Sequence, residues 1–289
     1  MNTVKTSVML FVLAALVMMP AAAQRRETAP VSFVKITDSL YQISGGRGAN
    51  GGVYIGDDCV LMIDAKMDED SMKQVFAELR ALTDKPLRYL VNTHSDGDHV
   101  SGNRYFPEST IIVAHENCRE EFFHETRDGG RSEWSDPALM KFVPSVTYRE
   151  KMIIRLGSEI VEMWHFGTGH TTGDAVVYFP AKKIAFIGDQ YFEGRPPLIH
   201  SYKGGSALGH IGNLERMLET LDADSFVSGH ADPVSRADIE RHIGEMRGRV
   251  EKVESRVIQG DTLADVEKLF DDNEKNLVGI IYNEVKAGM

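Results

Sequence analysis

Apolar and polar positions alternate in short runs through the first part of the chain. Residues 31–64 read as four strands, "VSFVKI", "LYQIS", "GGVYIG" and "CVLMID", separated by the turn-forming stretches "TDS", "GGRGAN" and "GDD". The period then changes. In "DEDSMKQVFAELRALT" the apolar residues Met72, Val75, Phe76, Leu79 and Leu82 recur at helical spacing, with Pro86 beyond the end. "LRYLVN" reads as a strand, "DHVSGNRYF" as a short helix, "TIIVA" as a strand and "HENCREEFFHETR" as a helix. Residues 128–150 are polar and punctuated by proline, the pattern of an excursion or lid rather than a linker between domains. Four more strands follow in "KMIIRL", "EIVEMWHF", "DAVVYFP" and "KIAFIGD". After them come a helix in "SALGHIGNLERMLETL" with Ser206 at its N-cap, a strand in "SFVSG", and closing helices over about 236–259, 262–270 and 275–286. The pattern predicts an α/β protein in which two sheets lie between helices, because that arrangement buries apolar strands on both faces.

The first residues change the picture of where the chain acts. Lys5 is followed by a mostly apolar run from Ser7 to Met19 and then by "AAAQ", the pattern of a cleavable secretory signal peptide over residues 1–23. Cleavage after Ala23 leaves a single domain over residues 24–289 and a periplasmic or secreted location. Hydrophobic residues make up 42% of the chain, enough for a core of that size. The net charge of −11 argues against a nucleic-acid backbone or an anionic membrane surface as partner. A small-molecule substrate is expected, even an anionic one, since local metal charge can overrule net charge. Cys59 and Cys118 read as spacer thiols in a strand and a helix, not as a disulfide framework.

The candidate chemistry collects at strand ends. "HSDGDH", directly after "LRYLVN", places His94, Asp96, Asp98 and His99 within six residues. His170 follows "EIVEMWHF" in "GTGHTTGD", Asp189 ends "KIAFIGD", and His230 ends "SFVSGH". Any one of these alone reads as an ordinary core or surface residue. Four strand ends that each deliver a metal-ligand type, flanked by glycine or turn residues, read as one site.

With these residues in place, the chain resembles the metallo-β-lactamase superfamily over nearly its whole length beyond residue 23. "HSDGDH" is similar to that family's His-x-His-x-Asp-His motif, with Asp96 where the second histidine usually stands. The resemblance implies an αββα sandwich with a binuclear site at one edge of the sheets. One metal takes His94, Asp96 and His170, the other takes Asp98, His99 and His230, and Asp189 bridges them. It implies catalytic roles for Asp98 and Asp189 around a metal-bound hydroxide. The implied function is an exported metal-dependent hydrolase of an ester, thioester, lactone or lactam-type bond. A true β-lactamase and an iron-dependent redox enzyme on the same scaffold are the alternatives. The expected cofactor is Zn2+, with Fe or Mn as alternatives because a third carboxylate favours harder ions. The alternative reading of Asp96 is a residue that does not ligate, beside a weak or empty site. His200 and Lys203 read as solvated loop residues, with contact to a substrate anion as the alternative. His124, His210 and His242 read as surface positions on helices. Trp134 either covers the pocket or anchors its own loop.

Overall fold

Apolar runs broken by tight turns pair antiparallel, and the chain opens with a meander of four strands: β1 (Ser32–Lys35), β2 (Leu40–Ser44), β3 (Gly51–Ile55) and β4 (Val60–Ile63). The computed structural model describes residues 28–289, so the expected leader and its cleavage site lie outside the described residues. Helix α1 (Glu69–Leu82) starts where the Asp68 side chain accepts a hydrogen bond from the Ser71 amide at 2.9 Å. It carries the chain across so that β5 (Leu87–Val91) joins β4 in parallel. The short α2 (Gly97–Val100), β6 (Ile111–His115), α3 (Glu116–Glu121) and β7 (Val146–Tyr148) continue the parallel half of this seven-stranded sheet.

The second sheet has six strands. β8 (Lys151–Leu156), β9 (Glu159–Trp164), β10 (Val176–Phe179) and β11 (Ile184–Gly188) run antiparallel to their neighbours. After α4 (Ala207–Thr220), β12 (Ser225–Ser228) returns parallel to β11, and β13 (Val234–Ser235) closes the edge. Helices α5 (Arg236–Ile258), α6 (Leu263–Glu267) and α7 (Lys275–Ala287) complete the chain.

Strand periodicity explains the layers. In β4, Leu61 and Ile63 face the second sheet, while Val60 and Met62 face α1 and pack with its Met72, Val75 and Leu79. In β10, Val177 and Phe179 enter the space between the sheets, and Val176 and Tyr178 pack toward Leu214, Met217, Met246, Leu277 and Ile281 of α4, α5 and α7. Both faces of each sheet are therefore covered, and the predicted α/β architecture of two mixed sheets flanked by helices holds. Among the described residues no helix is long and apolar enough to cross a membrane.

Two local expectations are corrected. The helix expected through residue 127 ends at Glu121. The chain turns there because Phe122 is buried against Trp134, ring centroids 5.0 Å apart, while the Phe122 carbonyl accepts from Ser132 Oγ. Trp134 thus anchors its own loop. The segment 128–150 is not wholly an excursion either, because it contains β7, the edge strand of the first sheet. Cys59 and Cys118 are buried free thiols.

Candidate metal centre

β4, β5, β11 and β12 end at one edge of the sandwich, and β10, antiparallel to β11, begins there. Backbone hydrogen bonds fasten the sheets together at that edge: Asn50 N to Gly229 O at 2.7 Å, and Ala175 N to Thr93 O at 2.7 Å. His94 to His99 arrive from the end of β5, His170 from the turn before β10, Asp189 from the end of β11 and His230 from the end of β12. Glycines permit this crowding. A Cβ at Gly229 would run into Asp189 Oδ1 and the His99 ring, and Gly188 turns the chain with φ of 52° while lying against Thr93.

All seven predicted ligand-type residues come together, in two groups whose ligand atoms lie within 4.8 Å of one another: His94, Asp96, His170 and Asp189, and Asp98, His99 and His230. Asp189 stands between them. Its Oδ1 is 3.0 Å from His99 Nε2, and its Oδ2 is 3.1 Å from His230 Nε2, 3.9 Å from His170 Nε2 and 4.0 Å from His94 Nε2. Asp98 Oδ2 lies 3.2 Å from His230 Nε2. Asp98 and His230 keep side-chain exposures of 29% and 31%, so the centre opens to solvent on their side. Phe192 stacks on the His230 ring there, centroids 5.4 Å apart.

A residue outside the expected set orients two of the histidines. Asp64, buried at the end of β4 with φ of 57°, accepts from Thr93 N and Thr93 Oγ1, both at 2.7 Å, and from His99 Nδ1 at 2.8 Å. Thr93 has one hydroxyl proton and gives it to Asp64, so its oxygen can only accept from His94 Nδ1, 3.1 Å away. Asp64 therefore sets the tautomer of both His94 and His99 and turns both Nε2 lone pairs toward the centre. His170 Nδ1 donates to Leu198 O at 2.6 Å, which aims its Nε2 the same way. The sequence signal for Asp64 was an acid closing an apolar strand next to the ligand-bearing one.

The electrostatics follow from burial and proximity. Burial works against ionising Asp96, but hydrogen bonds from His170 and His200, with the His94 ring close by, prevail and hold its carboxyl far below the usual range. Asp189 is likewise held down against burial by His99 and His230. Burial disfavours the imidazolium of His170, yet Asp96 and Asp189 raise it to about 9; His230 is also raised to about 9 against burial by Asp189 and Asp98.

Two corrections concern other residues. His200 and Lys203 are not solvated: their side chains are 12% and 10% exposed, and both reach Asp96. His210 and His242 are not surface residues but a buried pair with Nε2 atoms 3.2 Å apart. His124, in contrast, is exposed as expected.

Whether these residues fit a metal is answered by their orphaned atoms. His94 Nε2, His99 Nε2 and Asp189 Oδ1 are buried without a well-directed hydrogen bond, the last two only facing each other at 3.0 Å. Leaving such atoms unpaired is costly, and a cation among them satisfies all three. The donor set of imidazoles and carboxylates suits Zn, Mn or Fe.

Comparisons with known proteins agree. The fold is similar to that of a metallo-beta-lactamase from Pontibacter korlensis, with a TM-score of 0.63 and 16% identity, covering 75% of this chain and 99% of that one. It is similar also to DIM-1 metallo-beta-lactamase, with a TM-score of 0.61 and 15% identity, covering 77% and 99%. In sequence the chain is 26% identical over 210 residues to 2,4-dinitroanisole O-demethylase subunit alpha of Nocardioides sp. (strain JS1661). That match covers 71% of this chain and 57% of the relative, so the chain spans just over half the length of that curated relative. Residues 44–275, which take in all the strand ends of the centre, match the family model of the metallo-beta-lactamase superfamily, and the chain belongs to that superfamily.

Proposed function

We propose that the chain is an exported metal-dependent hydrolase that holds two divalent ions, zinc first, on His94, Asp96 and His170 and on Asp98, His99 and His230, with Asp189 between them. The observation that carries this reading is the convergence of seven ligand-type side chains at one edge of the sandwich, with the tautomers of His94 and His99 fixed through Asp64. When bound, such ions supply an activated water and an electrophile for the substrate oxygen. The rest falls to the chain. Asp98, at the open side with its side chain 29% exposed, accepts the proton of the attacking water on its carboxylate. Asp189 stays ionised and links the two halves of the site. Phe192, stacked on His230, walls the mouth and excludes water from one side of the substrate.

The proposed substrates carry an electrophilic ester, thioester, lactone or lactam bond. The relative's name favours a second class, activated aryl methyl ethers. Its demethylation can be written as hydrolysis: water oxygen bonds the electron-poor ring carbon, the carbon–methoxy bond breaks, and methanol leaves with the water proton. That reaction asks the same of these residues and needs no oxidant. The test is a panel of lactams, lactones, thioesters, esters and 2,4-dinitroanisole, run on native protein whose metal content has been counted, with oxygen consumption followed in parallel. Turnover without oxygen uptake supports the hydrolase. Oxygen-dependent turnover with bound iron moves the assignment to a redox enzyme, and a chain that takes up no Zn, Mn or Fe refutes the metal centre.

A further inference from the structure

The first group of ligands lacks the motif histidine, and the fold brings another imidazole to it from a different place in the chain. His200 lies in the loop between β11 and α4. Its amide donates to the carbonyl of His170 at 2.9 Å, and the two rings lie 4.7 Å apart. Its Nε2 is 2.8 Å from Asp96 Oδ2, the same oxygen that lies 3.0 Å from His170 Nε2 and 3.5 Å from His94 Nε2. Three Nε2 atoms thus converge on one carboxylate oxygen.

These spacings can be compared with a metal's needs. A tetrahedral ion with ligands at about 2.0–2.2 Å has donor–donor edges of about 3.3–3.6 Å. The three distances about Asp96 Oδ2 run from 2.8 to 3.5 Å, so an ion enters after an opening of about half an ångström at the His200 contact. Asp189 Oδ2 is farther from this group, 3.9 Å from His170 and 4.0 Å from His94, and nearer to the second group, at 3.1 Å from His230. The other oxygen of Asp96 is engaged. Lys203 Nζ donates to Oδ1 at 2.6 Å and to Ser95 Oγ at 2.8 Å, and Ser95 Oγ in turn donates to Glu121 Oε2 at 2.5 Å. Lys203 therefore holds Asp96 so that only Oδ2 faces the histidines.

We infer that His200 is a ligand of the first metal, taking the place of the missing motif histidine, and that Lys203 is a positioning residue that keeps Asp96 monodentate. The first ion is then held by His94, Asp96, His170 and His200, and the second by Asp98, His99 and His230, with Asp189 between them. In the metal-free chain the His200 ring rests against Asp96 Oδ2. This rests on the metal-centre reading above and adds to it a donor that the motif does not supply.

The test is NMR of the full chain, labelled with nitrogen-15 histidine and loaded with cadmium-113. Each ligating ring nitrogen shows a one-bond coupling to cadmium, independently of any activity. Five coupled imidazoles are expected, from His94, His99, His170, His200 and His230. In His200→Gln one coupling disappears and cadmium affinity at the first site falls about tenfold or more, with the second site unchanged. Lys203→Met keeps all five couplings while first-site affinity drops, as expected of a residue that acts through Asp96. Four couplings in the unsubstituted chain, unchanged in His200→Gln, overturn the inference and leave the metal centre standing. No cadmium uptake at all overturns both. If His200→Gln does not fold, the count in the unsubstituted chain decides.

Discussion

At the scale of single residues, Asp64 controls more of the centre than its position outside the motif suggests. It accepts from Thr93 and from His99 and so governs two imidazoles at once. Asp64→Asn keeps the shape but offers an N–H where two donors already point. Metal affinity is expected to fall about 10- to 100-fold, read by competition with a chromogenic chelator. His170→Ala removes a ligand-type group outright; bound metal per chain and turnover both drop, whereas His124→Ala, on an exposed position, leaves both at the unsubstituted level. An unchanged metal count in His170→Ala contradicts the site. The seven motif residues were legible because each follows a strand end in the linear sequence. His200 and Lys203 were not, because nothing in "LIHSYKGG" shows that the loop folds back onto Asp96. Burial of a loop residue is a tertiary property, and local pattern carries no record of it.

At the scale of elements, α4 and α5 are joined by a polar contact inside an otherwise apolar layer, the pair His210 and His242. Both sit at helical spacing on their own helices, which is why the sequence placed them on the surface. Packing of one helix on the other turns those faces inward. Burial and the nearby Arg249 charge lower His242 from 6.5 to about 4, and burial with the His242 charge pushes His210 down as well. The sign follows directly. Both rings are neutral in the folded chain, so the unfolded chain gains protons first as the pH drops. Stability is full above about 6.5 and is lost as pH falls toward about 4. The urea midpoint of the metal-free chain is expected to drop steeply across that window. It drops less steeply in His242→Gln, which keeps a hydrogen-bonding partner for His210 without a titrating ring. Equal slopes in the two proteins reject the account. A second link between helices is Glu284 of α7, which accepts from the amides of Ala207 and Leu208 and from Ser206 Oγ at the start of α4. Glu284→Ala leaves those donors unpaired and is expected to cost about 1–2 kcal/mol in chemical denaturation.

At the scale of the whole molecule, metal uptake is a protonic event as well as a structural one. His170 and His230 are both raised to about 9, so near neutral pH each carries a proton that a cation must displace. Calorimetric titration of the metal-free chain in buffers of different ionisation enthalpy will report release of at least about two protons as both groups fill near pH 7. The release fades as pH rises through about 9, where those imidazoles are already neutral. Excess metal will also raise the unfolding free energy by about 3 kcal/mol at a hundredfold excess over the dissociation constant. The layered α/β architecture itself was readable from strand periodicity, since apolar residues on both faces of β4 and β10 demand cover on both sides. The edge strand β7 escaped notice because three residues among prolines and polar side chains carry too little periodicity to register.

Because the centre is stitched from both sheets, it also records the order of synthesis. The first sheet contributes Asp64 and the stretch from His94 to His99, whereas His170, Asp189 and His230 come from the second. A ribosome-bound chain that has exposed residues only through Trp164 carries two members of each donor group and lacks Asp189, the clamp between them. Such a chain will hold zinc no better than an unstructured peptide of the same composition, and tight uptake will first appear when β12 and His230 have emerged and docked. Metal capture during translation, followed with stalled chains of increasing length, is therefore expected to switch on late and in one step, marking the moment at which the two halves of the molecule become one.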